Sequence, residues 1–326
     1  MTNVRSTVEL LKSFDDFMLA VDWKKSPLSL YVPVEYILSL GGKRIRPLAI
    51  IFLTELLEGP KEGAMHAAYG LELFHNFSLI HDDIMDQAER RRSRDTVHKK
   101  FGINPAILSG DVMMIESMRF LRLAEQLSGK IGLQDLFIKT AREVCEGQAL
   151  DMEFEKKSDI SYAEYVEMIR LKTAVLLAFG FEVAALLSSR EDLAVAFYNI
   201  GIFTGLAFQL EDDYLDFYAT EMSFGKIKAG DILQAKKSAL VLELMEQFDA
   251  TQRNDFASWY QDVNKPEIRI TVMEDYFKQY GIHDKLKDRI TLYQNKVYDL
   301  IEGLHLTATQ KLNLKDFILG IFSRKF

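Results

Sequence analysis

No proline occurs between Pro105 and Pro266, so nothing in that stretch removes a main-chain donor or crowds the preceding helical turn. Its apolar residues recur at helical spacing. Leu171, Val175 and Phe179 share one face, and Ile169 and Leu176 widen the stripe. No run of strict alternation bounded by turn dipeptides calls for a hairpin. The expected fold class is all-α, a large helical bundle around a central apolar cavity. Helices are expected over residues 5–22, 29–41, 45–57, 62–87, 104–127, 133–154, 161–188, 192–218, 232–246, 250–261, 267–280, 283–302 and 308–323.

The 326 residues could hold two average domains, but no Gly-, Pro- or Ser-rich linker or charge block divides them. One domain, residues 1–326, is expected. A net charge of −8 argues against nucleic acid, whose phosphates need a basic face. Cys145 is the only cysteine, which excludes an intrachain disulfide and a cysteine-built metal site and fits a reducing, cytoplasmic setting. The first thirteen residues lack the apolar core of a signal segment. Thr173 to Leu187, the most apolar stretch, is broken by Glu182 and is too short for a bilayer, so no transmembrane segment is expected.

Two segments repeat one acidic pattern. His81-Asp82-Asp83-Ile84-Met85-Asp86 contains Asp-Asp-x-x-Asp, and Glu211-Asp212-Asp213-Tyr214-Leu215-Asp216 contains it again. On a helix Asp82 and Asp86 share a face, as do Asp212 and Asp216. Like charges so placed repel unless a cation joins them, and carboxylates with room for water suit Mg²⁺ bridging to phosphate. One copy alone would often be a solvated acidic face; two arise by chance on the order of one time in a hundred. Each copy also closes an apolar run, which points to a lined cavity. Short basic clusters accompany them: Lys43 and Arg46 after Gly41-Gly42, Arg90 to Arg94 past the first motif, and Lys226, Lys236 and Lys237 past the second. Arg binds phosphate bidentately and Lys as a point charge.

In this order the motifs resemble the trans-isoprenyl diphosphate synthase family, which includes farnesyl and geranylgeranyl diphosphate synthases. The matching stretches are G-G-K-R-I-R-P, H-N-F-S-L-I-H-D-D-I-M-D, R-R with T-V-H, S-G-D-V-M, E-G-Q, L-K-T-A, F-Q-L-E-D-D-Y-L-D, and G-K with G-D-I, between about Leu38 and Ser238. The resemblance implies the isoprenoid synthase fold, a homodimer, and Mg²⁺-dependent head-to-tail condensation of isopentenyl diphosphate with an allylic diphosphate. It implies that Lys43, Arg46 and His75 hold the isopentenyl diphosphate, with Arg92 assisting, and that Arg91, Lys172, Lys226 and Lys236 grip the allylic one. Without the motif, His75 on an apolar helix would pass as a core histidine. Asp82, Asp86 and Asp212 would bind three Mg²⁺ ions directly, with Asp83, Asp213 and Asp216 as indirect partners. Thr173 and Gln209 would lie near the reacting carbons and Gln148 near the allylic end. The departing diphosphate would serve as the base.

Some positions depart from the family pattern. The usual Gly and Pro after the double arginine are missing from Arg90-Arg91-Arg92-Ser93-Arg94-Asp95, Glu211 replaces a common Gln, and Ala235 replaces a common Asn. A class I terpene cyclase shares the helical fold but normally has a mixed second motif and no cluster for a second diphosphate. A silent partner subunit of a synthase would be expected to have lost acidic or lysine positions, and none is lost here. Product length rests on Phe74, Phe77 and Ser78, before the first motif. A large Phe77 beside a small Ser78 points to geranylgeranyl diphosphate, with farnesyl second and longer chains as alternatives. Met113 and Ser117 are further candidate tunnel walls.

Overall fold

The computed structural model describes residues 4–157, 159–219, 229–261 and 266–323. The chain runs through α1 (Thr7–Ala20), α2 (Leu28–Ser39), α3 (Ile45–Leu56), α4 (Lys61–Met85), β1 (Arg90–Arg91), β2 (Arg94–Asp95), α5 (Val97–Phe101), α6 (Ile103–Ser128) and α7 (Leu133–Lys156). It continues through α8 (Tyr162–Ile169), a π-helical turn (Arg170–Ala174), α9 (Val175–Leu187), α10 (Glu191–Tyr218), α11 (Gly230–Leu233) and α12 (Ala239–Met245). The last elements are α13 (Ala250–Tyr260), α14 (Pro266–Gln279), α15 (Ile282–Gly303) and α16 (Ala308–Phe322). The all-α expectation holds.

The chain groups into two compact units: Met1–Thr140 with Leu176–Gly201 and Leu304–Phe326, and Ala141–Val175 with Ile202–Gly303. In the first, α4 packs along α6 and α3. Every residue of α3 from Pro47 to Leu56 is buried, and Pro47 sits in the first turn, where its missing N–H costs no helical bond. Phe52 stacks on Phe317 of α16 at 4.3 Å, and Trp23 donates to the Tyr69 hydroxyl at 2.9 Å. In the second, α12 is buried from Ala239 to Met245 and packs on α15, where Arg289 pairs with Glu243.

Three expectations need correction. Residues 161–188 are not one α-helix but α8, the π turn and α9. The close approach is visible at two glycines: a Cβ on Gly147 would lie 2.3 Å from the main-chain nitrogen of Lys172, and one on Gly205 would lie 2.6 Å from the Cα of Ala174. Neighbouring backbones thus press on the π turn from α7 and α10. Residues 232–246 likewise divide into α11 and α12, because Ala235 turns left-handed at φ 55°. Finally, a two-residue antiparallel ladder pairs Arg90 with Asp95 and Arg91 with Arg94, too short for alternation to reveal.

Among the described residues one helix, α10, is long and apolar enough to cross a membrane, with mean hydropathy 1.6 in its most apolar window. Since 61% of that window is buried within the protein, α10 has the character of a core helix.

Candidate active site

In the first unit the G-G-K-R-I-R-P segment is anchored by its middle arginine. Arg44 is buried, pairs with the buried Glu72 and donates to the Leu38 carbonyl at 2.9 Å. Asn76 donates to the same Glu72 carboxylate at 2.8 Å. Such a pair is costly to break, by about 3–5 kcal/mol, because its partner is left charged in the interior. Arg44 therefore holds the segment, while Arg46 points its Nη1 to within 3.3 Å of His75 Nε2. Burial pushes the His75 pKa well below its usual value, and Arg46, Arg92, Arg91 and Arg44 push it the same way, so the ring is neutral and accepts from Arg46. Arg46 Nε is buried without a hydrogen-bond partner, a state a bound anion would relieve. Burial, then Arg92, lowers the Arg46 pKa against the opposing pull of Glu72. Lys43 flanks this cluster in sequence and is half-buried.

Arg92 lies across Gly42, where any Cβ would meet its guanidinium at 2.7 Å. Arg92 and Ser93 form the hairpin tip with φ 52° and 63°, the double positive φ that a tight hairpin turn needs. Ser93 stands in the left-handed region at a cost of roughly 1–2 kcal/mol. The hairpin closes without the glycine of the family pattern.

The two acidic motifs share one construction. Asp83 is 2% exposed, and Arg91 binds it through Nε at 2.8 Å and Nη2 at 2.8 Å. Burial raises the Asp83 pKa and Arg91 opposes that rise. Arg91 Nη2 is also 3.6 Å from Asp82. In the second unit Asp213 is 5% exposed and accepts from the Tyr165 hydroxyl, from Ala239 N–H at 2.8 Å and from Gln209 Nε2 at 3.2 Å. Burial, then the neighbouring Asp231, pushes its pKa up to about 7. In both motifs the middle aspartate is locked inward. The outer residues Asp82, Asp212 and Asp216 are half-buried, and Asp86 is exposed at the end of α4.

A cavity of about 390 Å³ opens in the second unit, lined by Lys172, Thr173, Gln209, Asp213, Lys236 and Lys237 among others. Lys172, on the π turn, pairs with Asp151 at 2.6 Å. The Thr173 hydroxyl donates to Gln209 Oε1 at 3.4 Å. Lys236 and Lys237 follow α11, which Asp216 fixes by accepting Asp231 N–H at 3.0 Å and, through its carbonyl, Ala229 N–H at 2.8 Å. Gln148 lies outside this lining, with its Nε2 buried and unpartnered. Lys226 lies outside the described residues.

Among the described residues no three His, Cys, Asp or Glu side chains gather closely enough to hold a metal alone. One or two carboxylates per ion, all oxygen donors, is the set that suits Mg²⁺ completed by water and phosphate. Phe74, Phe77 and Ser78 lie on α4 with the first motif. Phe77 is 9% exposed, with its ring 5.3 Å from Phe74 and 4.6 Å from His81. The Ser78 hydroxyl is bonded back to the His75 carbonyl at 2.8 Å.

Sequence reasoning passed over Arg44, Tyr165 and Asp151. Asp151 stands three residues after Gln148, one turn along the same helix, which was a usable signal. Nothing local marks Tyr165, whose contact with Asp213 is made over 48 residues.

The Arg46 cluster predicts its own test. Under the role that the resemblance implies for Arg46, Arg46→Ala should raise the KM for isopentenyl diphosphate about a hundredfold, as loss of a bidentate charge-assisted pair would, and leave the allylic KM nearly unchanged. Equal shifts in both steady-state constants would show that the basic clusters are not partitioned between substrates.

A family model described as polyprenyl synthetase matches residues 28–276. The chain is 38% identical over 226 residues to a geranylgeranyl pyrophosphate synthase of Geoglobus acetivorans, across 69% of this chain and 70% of that one. It is 32% identical over 311 residues to a geranylgeranyl diphosphate synthase of Sulfolobus acidocaldarius, across 94% and 90%. The crystal structure of a geranylgeranyl pyrophosphate synthetase from Pyrococcus horikoshii matches with a TM-score of 0.84 at 31% identity, covering 98% of this chain and 97% of that one.

Proposed function

Because this chain belongs to the polyprenyl synthetase family, and is therefore a prenyltransferase, we propose that it condenses isopentenyl diphosphate with an allylic diphosphate to give geranylgeranyl diphosphate. The observation that carries this reading is that there are two sets of cations: Arg46, with its buried unpartnered Nε, beside His75 and Arg92, and Lys172, Lys236 and Lys237 around the cavity. Two anionic substrates need two such sets, whereas a cyclase acting on one diphosphate needs one. Relatives named as geranylgeranyl diphosphate synthases support the product length.

In the proposed reaction Lys43, Arg46 and His75 hold isopentenyl diphosphate, and neutral His75 contributes a hydrogen bond rather than a charge. Lys172 and Lys236, with Lys226, hold the allylic diphosphate; Lys172 would exchange Asp151 for phosphate oxygen. Asp82, Asp86 and Asp212 would hold Mg²⁺ directly, with Asp83, Asp213 and Asp216 as indirect partners, and the bound cations would supply the charge that makes a diphosphate a better leaving group. The allylic carbon–oxygen bond breaks with its electron pair going to the leaving diphosphate. The Thr173 and Gln209 oxygens stabilise the resulting cation. The isopentenyl double bond attacks, and the released diphosphate takes the proton. Gln148 would meet the allylic end through its unpartnered amide.

The decisive experiment incubates the purified chain with isopentenyl diphosphate, farnesyl diphosphate and Mg²⁺ and reads the product by mass spectrometry. A C20 diphosphate is expected. Absence of any condensation would remove the reading, and it would also separate an active enzyme from a silent partner subunit. We also propose a cytoplasmic homodimer. Ile103, Ile107, Leu108 and Ile115 leave large apolar side chains exposed along α6, and sedimentation of the same preparation should give twice the 37.5 kDa chain mass.

A further inference from the structure

We infer that Arg269 and Tyr260 are positioning residues that hold segment 229–238 in the path that brings Lys236 and Asp231 to the cavity. This rests on the reading of Lys236 as a ligand of the allylic diphosphate. Neither residue lines up with any sequence motif.

The segment is built against local preference. It contains two alanines with positive φ, Ala229 at 56° and Ala235 at 55°, where a Cβ crowds the following carbonyl. Asparagine, common in the family at position 235, tolerates that region better because its side chain bonds locally. Alanine gives no such help. Between the two alanines α11 spans only Gly230–Leu233, and the turn that ends it returns Lys236 N–H to the Asp231 carbonyl at 2.9 Å and Ala235 N–H to the Ile232 carbonyl at 3.1 Å.

Tertiary contacts add to these local bonds. Arg269, 2% exposed, donates through Nη1 to the carbonyls of Ile232 and Leu233, both at 2.9 Å. Its guanidinium lies 5.3 Å from the Tyr260 ring centre. The Tyr260 hydroxyl donates to the Lys236 carbonyl at 2.8 Å, and burial raises its pKa, keeping it a donor. The carbonyls on both sides of Ala235 are thus tied to buried donors on α13 and α14. On the other flank Asp216 takes the Asp231 N–H. The strained turn is fixed from both sides, and Lys236 emerges from it into the cavity. Arg269 and Tyr260 need not touch substrate to matter.

The test uses Tyr260→Phe, Arg269→Met and Arg269→Lys in the full chain. The readouts are KM for farnesyl diphosphate, KM for isopentenyl diphosphate, kcat, and amide hydrogen exchange at residues 233–236. Loss of one or two such bonds should raise the farnesyl KM about tenfold in Tyr260→Phe and Arg269→Met, with the isopentenyl KM unchanged and exchange at 233–236 faster. Arg269→Lys should recover part of the loss. Adding Ala235→Asn to Arg269→Met should recover more, since asparagine accepts the left-handed turn. A merely structural role predicts a lower melting temperature with both KM values unchanged or raised alike, and that result overturns the inference. If Arg269→Met does not fold, Tyr260→Phe decides, since it removes one hydroxyl. Lys236→Ala is measured alongside. If it leaves the farnesyl KM unchanged, the role given to Lys236 fails, and exchange alone then judges the brace: faster supports it, unchanged overturns it.

Discussion

Asp82→Ala should lower turnover by about a thousandfold or more, the loss expected when a carboxylate that holds a catalytic cation is removed, while thermal stability stays close to that of the parent chain. The geometry separates the two effects. Arg91 holds Asp83 bidentately at 2.8 Å but stands 3.6 Å from Asp82, and Asp82 is half-buried rather than enclosed. Asp83→Ala should behave differently. It strips a 2%-exposed carboxylate from a paired guanidinium and should destabilise by about 3–5 kcal/mol. Measuring kcat and the melting curve for both variants distinguishes a cation-holding position from an anchoring one. Asp212→Ala should match Asp82→Ala, and chelation of Mg²⁺ should match both. Turnover within tenfold of the parent in Asp82→Ala would remove the metal assignment.

Phe77→Ala should shift the product from C20 to longer chains. Phe77 precedes Asp82 by five residues, about 7–8 Å along α4 at ~1.5 Å per residue. Its ring is not isolated. His81 meets it edge-on at 4.6 Å, Phe74 lies 5.3 Å behind it, and Phe137 meets Phe74 at 5.0 Å. A floor backed by further rings should recede by one layer when its first ring is removed, giving a limited extension rather than an open-ended product distribution. Because the ring is nearly buried, a stability loss of about 3 kcal/mol, as for other buried phenylalanines, should accompany the change. Ser78→Phe should shorten the product toward C15. Mass spectrometry of the products checks both, and an unchanged distribution from folded, active Phe77→Ala would show that the ring only packs the interior.

The helical class was legible because long proline-free stretches with apolar stripes leave little alternative, and the diphosphate chemistry was legible because its residues lie in short contiguous motifs. What escaped depends on partners far along the chain. Arg44 went unmarked beside Lys43 and Arg46, because only its pairing with Glu72, 28 residues on, makes it an internal anchor. Ser93 and Ala235 read as poor substitutes for glycine and asparagine, yet the chain adopts the left-handed turns at both. Residues 232–246 read as one helix because Ala, Lys and Leu favour that state locally. Propensities of a few tenths of a kcal/mol per residue lose to buried hydrogen bonds from Tyr260 and Arg269.

The π turn at Arg170–Ala174 holds one residue more than an α-helical turn of the same rise would. Because the surplus is absorbed where it stands, the flanks keep the facings of an uninterrupted helix. A deletion elsewhere in α8 or α9 would swing one flank by about 100° relative to the other, and either Tyr165 or the buried stripe of Val175 and Phe179 would lose its partners. Within the turn a deletion would let the helix close up with both flanks still seated. What would go is the bulged path that presents Lys172 and Thr173 to the cavity. The one residue by which this stretch exceeds an α-helix thus stands where Lys172 and Thr173 reach the cavity.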